Sequence, residues 1–388
     1  MEETLTAGIN FALTDEQNAL RDHVRTFVEN EIKPVALQYD ETQEFPTEIF
    51  KKFGELGFLG VLVPAEYGGS EMGYQEFAII VEEIARGCPS IALGVAAHNG
   101  LCTNHILRFG SEELKRKYIP MLASGEVMGA WGLTEPGSGS DAGGMQTTAV
   151  LDGDHYILNG SKNFITHGNV GSPTVVLCVT DRSKGKKGIS AIVIDKTMEG
   201  FYPSKKENKL GMRSSDTATL IFDNVRVPKE NLIGNEGEGF IQALQILDGG
   251  RISIAALSLG LAQGALDASL KYSRERQQFG KNLSDFQAIQ FKLAQMAMNI
   301  EAARLLTYKA AWMRDNGMNI TLAAAQAKLF ASEICVQAAE ESVQIHGGYG
   351  YIKDYPVEKL YRDAKLLTIG EGTSEVQRMV IARAILAD

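Results

Sequence analysis

Near the end of this 388-residue chain, Leu366 to Gln377 reads LLTIGEGTSEVQ, and one carboxylate in it, Glu371, stands between Gly370 and Gly372. A carboxylate of this kind can serve as a general base. Its glycine neighbours carry no Cβ to shield it and permit backbone angles closed to other residues, so the sequence predicts an uncovered acid. Ser374 to Gln377 has the form of a capping box, which starts the final helix there and brings its positive N-terminal end close to Glu371. A solvated loop acid beside a glycine cap has the same local sequence and is the commoner case for an isolated Glu. The company Glu371 keeps elsewhere in the chain has to decide.

Three further stretches combine glycine, hydroxyl and aromatic or cationic groups. Trp131 to Ser140 reads WGLTEPGSGS and continues as Asp141-Ala142-Gly143-Gly144. Gly137 to Ala142 formally fits the dinucleotide pattern G-x-G-x-x-A. That match is rejected, because Pro136 precedes it, two glycines stand where a helix should begin, and no βαβ pattern surrounds it. What remains is a loop whose backbone N–H groups could face a flat cofactor or a phosphate, or could simply form a turn. Asn163 to Thr166 (NFIT) sets an aromatic ring beside a hydroxyl, and Arg274 to Gly280 (RERQQFG) offers a guanidinium suited to phosphate. Phe164 could equally be core, and Arg276 a helix-end cation. Gln344 to Gly350 (QIHGGYG) ends a helix in a Gly-Gly turn, as a C-cap or a binding loop, with His346 expected to be structural.

Composition narrows the function classes. Hydrophobic residues make up 44% and charged ones 22%, the usage of a soluble globular protein. A net charge of −10 argues against nucleic acid as the main partner, although Lys184 to Lys187 and Lys205–Lys206 are local basic clusters. Cys88, Cys102, Cys178 and Cys335 have no ligand spacing, so reduced core thiols and no metal site are expected. Met1 to Ile9 has neither a secretory nor a transit pattern, and no apolar run approaches the ~20 residues of a membrane span. A cytoplasmic protein is expected, or a matrix protein if the source is mitochondrial.

Periodicity divides the chain into α, β and α parts. Thr14 to Gln17 is a capping box, followed by Leu20, Val24, Phe27, Val28 and Ile32 at helical spacing up to Pro34. Further helices are predicted from Pro46, over Tyr74 to Arg86, Ser90 to Arg108 and Glu112 to Ser124. From about Met128 short β-branched runs replace them, at Tyr156 to Leu158, Thr174 to Val179, Ile189 to Ile194 and Thr219 to Phe222, which favours an antiparallel sheet or small barrel. Val225 to Gly239 has the Pro and Gly density of a connector. Long helices follow over Phe240 to Ser273, Gln287 to Asn316, Ile320 to Ile345 and Ser374 to Leu386, lengths that suit an antiparallel bundle.

Taken together, VPAEYGG, LTEPGSGSD, NGSKNFIT, RERQQFG, QIHGGYGY and YRDAKLLTIGEGTSE run in an order that resembles the acyl-CoA dehydrogenase family along nearly the whole chain. The resemblance implies a helical N-terminal domain (1–127), a central antiparallel β domain (128–236) and a C-terminal four-helix bundle (237–388), with FAD where they meet. It places the flavin-contacting segments on Trp131, Gly132, Leu133, Thr134 and Ser140, and on Phe164, Ile165 and Thr166, where many relatives have Trp in place of Phe164. Thr373, Ser374 and Glu375 would lie along the FAD. Arg276, Phe279 and Gln287, with Gln344, Ile345, His346, Gly347 and Gly348, would reach the FAD of a neighbouring subunit, which implies a homotetramer. Ser140, Asp248, Gly249, Gly250, Arg251, Gly370 and Gly372 would line the acyl-CoA site.

The resemblance also implies the chemistry. Glu371 matches the base of most members, and the alternative base position of some branched-chain and long-chain members falls on Gly250, which carries no carboxylate. Glu371 would take the α-proton of an acyl thioester while a β-hydrogen leaves as hydride to FAD. The Glu371 N–H and a ribityl hydroxyl would hold the carbonyl oxygen, and an electron-transferring flavoprotein would reoxidise the cofactor. Gly370 stands where many straight-chain relatives have Tyr, so a short- or medium-length acyl group with branching is expected, unless another side chain fills the space. The rival readings are an acyl-CoA oxidase-like flavoprotein and a non-catalytic flavoprotein or scaffold of the same fold.

Overall fold

Helix α1, Asp15–Phe27, begins as its sequence predicts: the Thr14 side chain accepts from the Gln17 N–H, and the Gln17 side chain accepts from the Thr14 N–H. The computed structural model describes residues 12 to 387, so the expectation for Met1 to Ile9 lies outside the described residues. Pro34 does not end the helix. A π turn at Val28–Ile32 leads into α2, Lys33–Thr42, where Pro34 sits in the first turn and its missing N–H is no loss. Helices α3 (Thr47–Glu55), α4 (Tyr74–Gly87), α5 (Pro89–Ala97), α6 (Asn104–Phe109) and α7 (Glu112–Ala123) complete the first third, with a π turn at His98–Thr103 joining α5 to α6.

Strands β1 (Met128–Gly132), β2 (Thr148–Asp152), β3 (His155–Thr166), β4 (Gly171–Val179), β5 (Ile189–Ile194), β6 (Phe201–Lys206), β7 (Thr217–Pro228) and β8 (Leu232–Ile233) form one sheet. Its order is β6-β7-β3-β2-β4-β5-β8, with β1 beside β4. The sheet is mixed rather than wholly antiparallel, because β1 and β2 each meet β4 in parallel. The β2–β3 hairpin intervenes before the chain returns beside β1, a crossing that strand periodicity alone does not reveal. The start of the expected connector is also sheet: Val225 and Val227 are buried on either side of exposed Arg226, the alternation of a strand.

Helix α8, Gly239–Glu275, is the axis of the last third. Contrary to the expectation that no run is long and apolar enough, α8 has an 18-residue window of mean hydropathy 1.3 that passes the test for a membrane span by length and composition. In the fold, 83% of that window is buried inside the chain, and a helix apolar all round is what a position among other helices requires. Gly260 and Gly264 let α4 come close: a Cβ on Gly260 would stand 2.1 Å from the Glu82 carbonyl oxygen, and one on Gly264 would stand 2.6 Å from that of Arg86. The hairpin β9 (Gln277–Gln278) and β10 (Lys281–Asn282) then leads to α9 (Gln287–Asp315), α10 (Thr321–His346), α11 (Val357–Leu367) and α12 (Ser374–Leu386). Periodicity did not predict α11, because Lys359 and Asp363 interrupt its apolar face. They are buried there as a pair, Nζ to Oδ2 at 2.6 Å.

Candidate active site

The turn between α11 and α12 is built around Glu371. Ile369 and Gly370 donate their N–H groups to the Leu366 carbonyl, closing α11, and Ser374 donates to the Thr368 carbonyl. The left-handed residues are Glu371 itself, at φ 52°, and Gly372, at φ 95°; Gly370 is not one of them. A left-handed non-glycine residue is uncommon and costs about 1 kcal/mol, so the surrounding contacts have to hold it there. They are specific. Gln377 Nε2 donates to the Glu371 and Gly372 carbonyls at 3.3 and 3.0 Å, and Lys328 Nζ donates to the Gly372 carbonyl at 2.7 Å. The capping box expected from Ser374 to Gln377 is therefore not formed: Thr373 is the cap, accepting from the Val376 N–H at 3.3 Å, and Gln377 serves the turn instead.

This conformation folds the Glu371 side chain inward, so the acid is not uncovered. Oε2 is inaccessible to solvent and has no hydrogen-bond partner among the described residues. It rests on α8, where a Cβ on Gly250 would lie 2.0 Å away. Beside it Arg251 is buried and pairs with Asp248 (Nη1 to Oδ1, 2.5 Å), and Asp248 accepts from Thr321 Oγ1 at 2.8 Å. Gly249 faces Tyr74, whose Oη lies 2.6 Å from where its Cβ would be. Burial pushes the Glu371 carboxyl up to about 7, against the opposing pull of Lys328 and Arg251. The Glu371 N–H makes no hydrogen bond among the described residues, which leaves a backbone donor beside the acid.

The loop after β1 is held from beneath. Trp131 is buried with Nε1 donating to His105 Nδ1 at 2.9 Å, which leaves His105 Nε2–H to donate to Gln242 Oε1 at 3.1 Å. Buried Glu135 accepts from the Gln146 and Thr147 N–H groups and from Lys162 Nζ at 2.6 Å, and Lys162 also donates to the Leu133 carbonyl at 3.1 Å. Burial opposes the Glu135 charge, but Lys162 and the donors from Gln146 and Thr147 outweigh it and hold the carboxyl below its usual range. Above this base, Thr134 is half-buried, Ser140 is exposed, and Gly137 and Gly139 have open space where a side chain would go. The Asn163 N–H donates to the Thr134 carbonyl at 2.8 Å, joining this loop to the NFIT segment. Phe164 is 65% exposed at φ 60°, while Ile165 points into the sheet core and can offer only its backbone. An exposed aromatic ring beside outward-facing loop backbone and hydroxyls fits a flat cofactor ring.

Arg276, Phe279, Gln287 and Gln344 to Gly348 do not converge on this place. Gln344 lies sixteen positions beyond Lys328 on α10, about 24 Å along the helix axis, and Arg276 lies beyond the far end of α8 from Gly250. There Arg276 covers the Tyr349 ring at 5.6 Å, and Phe279 (93% exposed), Gln287, Gln344, Gly347 and Gly348 face solvent. Ile345 and His346 are buried; His346 stacks on Tyr272 at 4.2 Å and bonds the Ser342 carbonyl. Thr373, Ser374 and Glu375 border a groove of about 420 Å³ with Glu333, Gln337 and Lys365.

Three domain profiles match the chain in order: "Acyl-CoA dehydrogenase, N-terminal domain" over residues 14–126, "middle domain" over 130–225 and "C-terminal domain" over 237–386. The chain belongs to the acyl-CoA dehydrogenase family. It is similar to the short-chain specific acyl-CoA dehydrogenase of Clostridium acetobutylicum, at 49% identity over 97% of this chain and 100% of that one. Among solved structures it resembles butyryl-CoA dehydrogenase from Megasphaera elsdenii (43% identity, TM-score 0.95, 97% of this chain and 100% of that one). It also resembles a chain solved in work on the electron transferring flavoprotein of Acidaminococcus fermentans and flavin-based electron bifurcation (47%, TM-score 0.97, 98% and 100%). As a member of this family the protein is an FAD-dependent oxidoreductase that dehydrogenates acyl-CoA, and its three-part fold is the family's own.

Several residues of the site were not legible beforehand. Lys328, Glu135, Lys162, His105 and Gln242 all act through burial. In the sequence the only signal for Lys162 is a lysine on the inward phase of a strand pattern, and for Lys328 a lysine among alanines.

Proposed function

We propose that Glu371 is the base that removes the α-proton of a short-chain acyl-CoA thioester, giving the 2-enoyl-CoA. The observation that carries this reading is the buried, unpartnered Oε2 facing Gly250 with its pKa pushed up to about 7. A base for a weak carbon acid works best with its pKa near the operating pH and without water competing for its lone pairs. The free N–H of Glu371 can donate to the thioester oxygen as negative charge develops on it, from a turn already held by Gln377 and Lys328. Trp131 to Thr134, Phe164 to Thr166 and Thr373 to Glu375 would hold FAD, which when bound supplies the acceptor for the β-hydrogen leaving as hydride. Ser140, Asp248 to Arg251, Gly370 and Gly372 would line the acyl-CoA.

Arg276, Phe279, Gln287 and Gln344 to Gly348 are too far along their helices to serve the same site, and mostly exposed groups there suit an FAD bound by a second copy. A homotetramer with shared sites accounts for both ends of the bundle. An electron-transferring flavoprotein is the proposed acceptor of the electrons, in keeping with the similarity to the chain from the Acidaminococcus work. Anaerobic mixing of the yellow protein with butyryl-CoA tests the reading: bleaching of the flavin supports it, and unchanged colour with bound thioester favours the non-catalytic alternative. Hydrogen peroxide released during turnover in air would favour the oxidase-like alternative.

A further inference from the structure

Lys328 is a cation in a place built for apolar groups. It sits on α10 among Ala324, Ala325, Ala331 and Ser332, all buried, and is itself fully buried. Among the described residues it forms no ion pair within 4.0 Å, and its one hydrogen bond, to the Gly372 carbonyl, engages one of its three donors. A buried ammonium needs compensation beyond one neutral carbonyl. The turn that Lys328 ties down carries Glu371, whose Oε2 is buried without a partner among the described residues, as is Arg251 Nε on the opposing helix.

We propose that Lys328 is a positioning residue for the base: its Nζ holds the turn that aims Glu371 at Gly250, and its charge stands behind the carboxylate and sets the pH at which Glu371 ionises. The inference rests on the reading of Glu371 as the base and adds what controls it. If Lys328 were only a tie for the Gly372 carbonyl, any donor would do, and the ionisation of Glu371 would be indifferent to its charge.

The charged groups around the pair define the expected sign. Glu371 faces Lys328 from α10 and Arg251 from α8, and Arg251 is shared with Asp248. Lys328 in turn faces Glu371, Arg251, Glu333 on its own helix and Glu375 on α12. Burial pushes Lys328 down to about 8 while the Glu371 charge pulls it back up, so ionisation of the acid favours the cation beside it. Removing it leaves Glu371 with one cation, already engaged by Asp248, so the carboxyl holds its proton to higher pH.

The test uses substrate-free holoenzyme of wild type, K328M, K328Q and K328R, with E371Q subtracted to isolate the Glu371 carboxyl band in an infrared pH titration. The neutral variants are expected to raise the midpoint by about one pH unit or more, and K328R to return it close to wild type. The acid limb of kcat/KM should move by the same amount. Midpoints in K328M and K328Q that coincide with wild type overturn the proposal, whether or not activity falls. Failure of the base assignment looks different: E371Q would keep turning over while the infrared midpoints still answered for Lys328. Should K328M not hold its fold, K328Q against K328R decides.

Discussion

Glu371 and Gly250 share one small volume. A Cβ on Gly250 would lie 2.0 Å from Glu371 Oε2 and 3.1 Å from its Cδ, so a side chain at 250 and the inward carboxylate exclude each other. Two walls meet at this space, the turn after α11 and helix α8; the α8 wall is bare at Gly250, and the carboxylate reaching it there is that of Glu371 from the turn.

G250A follows directly from that contact. Alanine is the better helix former, so α8 survives, but its methyl displaces the carboxylate. A misplacement of about 1 Å costs on the order of 100-fold in rate, which sets the expected loss of kcat/KM with butyryl-CoA. Flavin absorbance per subunit should stay at the wild-type level. Near-normal turnover in G250A would show that the base does not work from the observed position.

Position 370 behaves in the opposite way. An added Cβ there meets nothing nearer than the Leu366 carbonyl oxygen at 3.6 Å, so a side chain is accepted without strain. We predict that wild type accepts isovaleryl- or 2-methylbutyryl-CoA alongside butyryl-CoA, and that G370Y loses the branched substrates by about 10-fold or more relative to butyryl-CoA. Equal ratios in the two proteins would mean that another residue walls the acyl group.

The pH dependence of catalysis has a fixed sign. Burial pushes Glu371 up to about 7, and the base is active only when ionised, so kcat/KM should rise with pH and level off above that value. A profile already flat from pH 5 upward would contradict a carboxyl whose Oε2 is buried and unpartnered.

Stability should run the other way. A carboxyl whose folded pKa lies above its ordinary value of 4.5 binds its proton more tightly in the folded state, so its contribution is complete below 4.5 and is lost as pH rises through about 7. E371Q cannot lose a proton. Its unfolding free energy relative to wild type is therefore predicted to climb between pH 5 and pH 8, by an amount on the order of 2 kcal/mol, read from denaturant titrations at each pH. A constant difference across that range would mean that Glu371 titrates as it does in the unfolded chain.

Much of this architecture can be read from spacing alone. The Thr14 capping box, the helical runs and the β-branched middle third mark their own elements, because each is a local pattern with one face to bury. What stayed hidden was decided by partners distant in sequence. Pro34 does not end its helix because a π turn resets the register, and α11 escapes notice because Lys359 and Asp363 neutralise each other on its inner face. β1 lies parallel to β4 through a crossing that no local signal records. At the site, glycine spacing singled out Glu371 but suggested exposure. The left-handed turn that buries it depends on Gln377 and on Lys328, 43 positions earlier.

The most direct test is E371Q assayed with butyryl-CoA and an artificial electron acceptor. Glutamine keeps the size of the side chain and removes only the proton acceptor, so the protein should stay yellow and bind the thioester while kcat falls by roughly three orders of magnitude or more. A variant within tenfold of wild type would contradict the account, because the α-proton would then have another destination.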